Sequence, residues 1–400
     1  MQRIWRRFDV TTWTSNLVLF AVAVFLVRFG QGLLGGARIN FFVDTLGLSA
    51  GQVLWLEGIR ELPGLGLILI AALTMRLPPP RQGALALLLM GIGYALYAFV
   101  GSYSVLLAAA IVASFGFHLW TPLHSVIGMS LSTKENTGRV LGTLASVGSL
   151  AAIAGMGAIS LISRLFESIS LSIYYPVSGT FIVLSALLLV RLPTDIGSTE
   201  VKPPRILLKP RYWLYYVLVF FAGARKLILN SFITLMLVQD FDLKVWQVST
   251  LMLVSSCLNL LIAPYLGSLI DRLGERITTP VAYLVLALCC LGYATIHNMW
   301  FLIALWILTR LVMPLGMGLS TYVYRTAPSE ELTPTLSAGV TFDHISSVGM
   351  PFLVGALLPV MQYEGIFLGM AVLILLSMPF ARALRVRVPS VPQPAPVSAK

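Results

Sequence analysis

The sequence predicts an all-α membrane protein whose twelve transmembrane helices form two six-helix halves related by a pseudo-two-fold repeat. Three observations predict it. First, 58% of the residues are hydrophobic and only 11% charged, with a mean hydropathy of +0.88, whereas soluble domains carry about 25% charged residues. Second, apolar runs such as 15–43 and 172–190 match or exceed the roughly 20 residues a helix needs to cross a bilayer. No alternating ten-residue strand pattern occurs, so the spans are helical. Third, lysine and arginine are distributed very unevenly between the two sets of connections.

Twelve spans are expected in order: 15–43, 51–76, 82–101, 104–133, 136–163, 171–191, 211–239, 245–272, 277–296, 299–326, 333–361 and 364–385. An even count puts both termini on one side. Of the 27 lysines and arginines, 19 lie on that side, two (Arg164 and Lys244) on the other, and six inside spans. Positive connections stay in the cytoplasm, so both termini are expected there. The expected location is a plasma membrane, in a bacterium the inner membrane. Residues 1–14 form a cytoplasmic N-terminus, 15–192 the first bundle, 193–210 a linker with Gly197, Pro203 and Pro204, 211–387 the second bundle, and 388–400 a Pro-rich disordered tail.

Several function classes find no support. The net charge of +11 is not gathered on a soluble basic face, so nucleic acid is not the expected partner. Cys257, Cys289 and Cys290 lie in apolar runs and suggest no disulfide framework. Arg3, Arg6 and Arg7 precede a run too long for a signal-peptide core, so it reads as a retained first helix. Nucleotide loops, nucleophile elbows and zinc signatures are missing. The protein is therefore expected to be neither an enzyme nor a primary pump, to need no cofactor or metal, and to act as a monomer on a small solute.

A repeat supports the division into halves. An offset of 195 pairs Gln52-Val53 with Gln247-Val248, Ala72 with Gly267, and Arg81 with Arg276; Gly93-Tyr94-Ala95 matches Gly292-Tyr293-Ala294 and Pro122-Leu123 matches Pro314-Leu315 at nearby offsets. Parallel six-span repeats place a pathway between the halves, with its site near mid-depth. The turn GSLIDRLGER, from Gly267 to Arg276, is thereby the intact counterpart of ALTMRLPPPR in the first half. With Gly267, Asp271, Arg272, Gly274 and Arg276 in the loop after the eighth span, the chain resembles the major facilitator superfamily, whose motif is Gly-x-x-x-Asp-Arg-x-Gly-Arg-Arg. Glu275 departs from it, and the first copy has Arg76 at the acid position. The resemblance covers roughly residues 10 to 387 and implies alternating access between two rocking halves. It implies that these five residues latch one side of the cycle, with Asp271 pairing to basic residues of its own turn and capping a neighbouring helix. A solvated positive-inside turn is the alternative.

Charges inside the spans give the site. Each costs at least about 2.5 kcal/mol on insertion scales, so each needs a cavity or a partner. Counting residues along the spans brings Arg28, Glu61, His118, Arg225, Lys226 and Arg310 to similar depth. The resemblance implies that the first, fourth, seventh and tenth helices line the cavity. The expected substrate-binding set is Arg28, Gln31, His118, Trp120, Arg225, Lys226, Asn230 and Arg310. Glu57 and Glu61, at i and i+4, share a face; Arg38 is expected to meet Glu57 and Arg28 to meet Glu61. These are either fixed ion pairs or, together with Asp343 and His344, the groups that couple protons to conformation. Six intramembrane cations against three acids favour an anionic substrate. His118 and His124 stand six apart on one helix and no carboxylate completes a ligand set, so no metal is expected. The expected function is secondary transport of a small solute, proton-coupled. The alternatives are a multidrug or sugar-type transporter with purely structural charges, and a receptor or assembly factor on the same scaffold.

Overall fold

The computed structural model describes residues 13–66, 74, 76–133, 136–197 and 208–385. Among these residues, ten helical segments are long and apolar enough to cross a membrane. The first half contains α1 (Ser15–Asn40), which ends in a π-turn (Phe41–Thr45), then α2 (Ala50–Leu65), α3 (Pro79–Ala95), α4 (Tyr103–Ser130), α5 (Thr137–Leu165) and α6 (Tyr174–Val190). In the second half α7 (Trp213–Leu227) runs through a π-turn (Ile228–Phe232) into α8 (Ile233–Phe241), and α9 (Val245–Leu273) and α10 (Glu275–Thr295) follow. Next, α11 (Met299–Val312) passes through a 3-10 turn at Pro314 into α12 (Gly318–Thr326), and α13 (Ser329–Arg382) closes the bundle.

Local chemistry sets the helix ends. Thr14, Ser102 and Asn298 accept hydrogen bonds from the first turns of α1, α4 and α11. The glutamines paired by the 195-residue offset act alike, with Gln52 accepting from the Ser49 amide at 3.0 Å and Gln247 from the Lys244 amide at 2.9 Å. Helices α2 and α9 therefore begin in the same way.

The last apolar segment is two legs. Gln362 has φ 54° and ψ −173°, a break inside α13. Lys209 and Arg211 reach Glu331 near the start of α13, and Trp213 meets Phe380 near its end. Gln239, at the other end of the same span, accepts from Tyr363 at 2.6 Å. The chain therefore reverses at Gln362, which separates the expected spans 333–361 and 364–385 and gives eleven legs among the described residues. The second expected span, 51–76, is described as the 16-residue α2. Residues 67–73 and 75, with Ala72, Leu73 and Met75 of the first motif copy, lie outside the described residues, as do 198–207 of the linker and the tail from 386.

The first half keeps a core of its own around Phe20, Leu87, Trp120 and Ile182. A larger core takes in the second half together with Leu34, Phe41, Leu54 and Tyr97 from the first. The first-half members of that shared core lie at the end remote from the chain termini, the far end. Contacts joining the halves line up from mid-depth to this end. Ser160 on α5 meets Thr250 on α9 at 2.7 Å, Asn40 donates to the Leu243 carbonyl at 2.7 Å, and Trp55 packs edge-on against Phe352 at 5.8 Å. The halves are thus closed on one another at the far end.

Candidate functional site

Two charge clusters sit where the halves meet, one turn apart along α2. The deeper one surrounds Glu61. Its Oε2 lies 3.4 Å from Lys226 Nζ, 3.2 Å from His344 Nδ1 and 4.0 Å from His118 Nε2. Lys226 is also 3.4 Å from Asp343 Oδ2, and the two imidazole rings face each other edge-on at 5.1 Å. Glu61 and His118 belong to the first half; Lys226, Asp343 and His344 belong to the second. The ammonium thus serves one carboxylate from each half.

Local structure makes room for this. Gly64 follows Glu61 by three residues on the same face of α2. A Cβ there would fall 2.5 Å from His344 Cε1 and 2.8 Å from His118 Nε2. Only glycine lets both rings approach the carboxylate. On α4, Ser114 Oγ donates to the Arg60 carbonyl, so its single proton is committed. His118 Nδ1, 2.9 Å from the Ser114 carbonyl and 3.0 Å from Oγ, must then be the N–H donor. The lone pair of His118 is left on Nε2, facing Glu61.

The second cluster surrounds Glu57. Arg60 donates to it at 2.8 Å and Arg38 lies 3.4 Å away, both from the first half. Arg38 also donates to Ser231 Oγ at 3.0 Å. Arg310, from the second half, donates to Asn230 Oδ1 at 2.8 Å and to the Asn230 carbonyl at 3.0 Å, with Trp306 beneath it at 4.7 Å. Asn230 and Ser231 are neighbours in the π-turn Ile228–Phe232. Such turns free a carbonyl from the helical ladder, and here one accepts from Arg310. Two guanidiniums, one per half, converge on adjacent residues.

Other expected residues fall elsewhere. Arg28 does not pair with Glu61; it donates to Gln31 on its own helix at 3.1 Å, because Lys226 from the opposite half takes that carboxylate. Arg225 points away from its neighbour Lys226 and lies buried over Tyr283 at 4.0 Å, the consequence of successive residues occupying different helix faces. Trp120 is buried in the first half's core beside Phe20 and His124 rather than against the clusters. The expectation that no carboxylate completes a histidine ligand set is also corrected. Glu61, His118 and His344 bring their ligand atoms within 4.8 Å of one another. Sequence spacing carries no sign of it, since His344 comes from the other half.

The GSLIDRLGER turn is tied within its own half. Asp271 does not pair inside the turn but with Arg325 of α12 at 2.7 Å. Glu275, the departure from the motif, is buried and accepts from Thr321 at 2.8 Å while lying 3.2 Å from Arg325. Arg276 donates to the Arg382 carbonyl at 3.1 Å. Gly274, at φ 75°, supplies the left-handed break between α9 and α10. Arg272 is exposed, and Gly267 sits in open space.

The family model described as Major Facilitator Superfamily matches residues 20–320 and 215–400. The chain belongs to this superfamily. No curated protein matches the sequence. Among solved structures, the nucleoside transporter NupG superposes with a TM-score of 0.74 at 14% identity, over 92% of this chain and 99% of that one. A bacterial homolog of the human lysosomal transporter Spinster, inward-facing and occupied, gives 0.72 at 15% identity, over 91% and 95%. At these identities the likeness is one of fold. The superfamily is one of membrane transporters and not generally of enzymes.

Proposed function

We propose that the protein is a proton-coupled secondary transporter of a small anionic solute, working by alternating access. The observation that carries this reading is the convergence of Arg38 and Arg310, from opposite halves, on the π-turn at Asn230 and Ser231. Arg38 and Arg60 share one acid, Glu57, and Arg310 meets no carboxylate among the described residues. An anion placed between the two guanidiniums supplies the missing charge and bridges the halves, with bidentate bonds suited to a carboxylate or phosphate. Arg28, with only Gln31 as its described partner, adds to the same field.

Coupling falls to Glu61, Glu57, Asp343 and His344, the acids and imidazole that the clusters hold near mid-depth. The excess of lysine and arginine on the terminus side supports cytoplasmic termini and a bacterial inner-membrane location. The closed end of the two halves then faces away from the cytoplasm. The transporter acts as a monomer.

Uptake into liposomes with and without an imposed pH gradient tests the reading. A screen of labelled solutes should find an anion whose accumulation needs the gradient. Arg38→Ala and Arg310→Ala should each lower that uptake at least tenfold while the protein still purifies as a single species. A transported solute that is neutral, with both variants fully active, overturns the anionic site.

A further inference from the structure

We propose that Glu61, His118 and His344 form a binding site for one divalent transition-metal ion, which bridges the two halves. Four features of the cluster point to it. The ligand atoms lie within 4.8 Å of one another; with metal–ligand bonds of about 2 Å, two donors on one ion stand at most about 4 Å apart. Side-chain adjustments of about 1 Å close the set. His344 is buried, at 8% exposure, and its Nδ1 stands 3.2 Å from Glu61 without a hydrogen bond of regular geometry, a ring nitrogen aimed into the cluster. His118 presents Nε2 because Ser114 holds Nδ1 as a donor. Metal-ligating histidines are held in this way, with the remote N–H on a carbonyl fixing tautomer and ring. Gly64 leaves the space that both rings need.

The donor set selects the ion. Two imidazoles and one carboxylate suit zinc, cobalt, nickel, iron or manganese rather than calcium or magnesium, which prefer all-oxygen shells. Lys226 is the built-in competitor, 3.4 Å from both Glu61 and Asp343. An incoming dication displaces the ammonium from Glu61, and Lys226 keeps Asp343, so neither carboxylate is left alone. Two ligands belong to the first half and one to the second, so the bound ion joins them in the far-end-closed arrangement.

Titration of tag-free, detergent-purified protein with cobalt(II) tests this without any transported solute. Expected are one cobalt per chain, visible absorption of a low-coordinate ion, and displacement by zinc. His118→Ala and His344→Ala, one from each half, should each weaken binding at least tenfold, whereas His297→Ala, exposed at the far end, should leave it unchanged. Lys226→Gln should tighten binding at least tenfold by removing the competing charge. His344→Cys, which replaces one ligand by another, should bind cobalt with a thiolate charge-transfer band. The proposal is overturned if the parent protein takes up no stoichiometric cobalt. It is equally overturned if both alanine variants bind as the parent does, or if Lys226→Gln weakens binding.

Discussion

Glu57 and Glu61 lie one turn apart on the same face of α2, yet their partners come from different places. Glu57 is held by Arg38 and Arg60, both of its own half, so rocking of the halves leaves it paired. Glu61 takes Lys226 and His344 across the interface and keeps only His118 from its own side. The same spacing on one helix thus produces one ion pair that is indifferent to conformation and one that exists only when the halves meet. Alternating access requires contacts that differ between states, and of the two carboxylates Glu61 offers them directly, Glu57 only through Arg38, which also donates to Ser231 of the second half.

The comparison can be broken most directly at Lys226. Lys226→Met leaves Glu61 and Asp343 without their shared cation and should cost about 2–3 kcal/mol, toward the low end for a partly exposed ion pair. Denaturant or thermal unfolding in detergent measures it, and Asp343→Asn in the same chain should recover part of the loss. A Lys226→Met protein as stable as the parent would remove the cross-interface pair from the account. Gly64→Ala should cost about 1–2 kcal/mol by overpacking, and more while the halves are closed, since His344 leaves Gly64 when they part whereas His118 stays beside it. Reagent accessibility of a cysteine placed at Ser160 should therefore rise in this variant, and unchanged accessibility argues against a state-selective role for Gly64. Arg310→Lys keeps the charge but loses the fork to Asn230, which should weaken solute binding about tenfold, near 1.4 kcal/mol. Arg60→Lys, whose charge Glu57 already balances, should change it far less. The smallest effect is expected at Asp271→Asn, within about 1 kcal/mol, because the Asp271 side chain is 70% exposed. That variant calibrates the others, for its ion pair lies wholly inside one half.

Much of this arrangement is legible in the sequence, and the reasons are physical. Composition and run length dictate helical spans, and the 195-residue offset marks Gln52 and Gln247, which cap equivalent helices. Residue counting brings Glu61, His118 and Lys226 to one depth, where they indeed meet. Counting cannot say which way a side chain turns around its helix. Lys226 faces the interface and Arg225 faces Tyr283, one residue apart. Nor does local sequence carry partnerships made through tertiary packing. Arg325 sits 54 residues beyond Asp271, and Lys226 lies 165 residues beyond Glu61. Glu275 reads as an erosion of the motif, and burial makes it the inner partner of Arg325. Gly64 and Ser114 carry no signal at all, because their roles are to leave space and to commit a proton.

The reversal at Gln362 bears on how the protein is made. A single residue with φ 54° joins the two legs of α13, so no polar loop separates the end of one from the start of the next. Backbone left unpaired in hydrocarbon costs several kcal/mol per group, and so short a connection cannot wait at the far surface as an extended loop. The two legs should therefore enter the bilayer together, as a helical hairpin, once ribosomal synthesis has passed the second. Truncation after Gln362 is expected to leave the first leg uninserted, and placing a flexible polar spacer there should free the two legs to insert in turn.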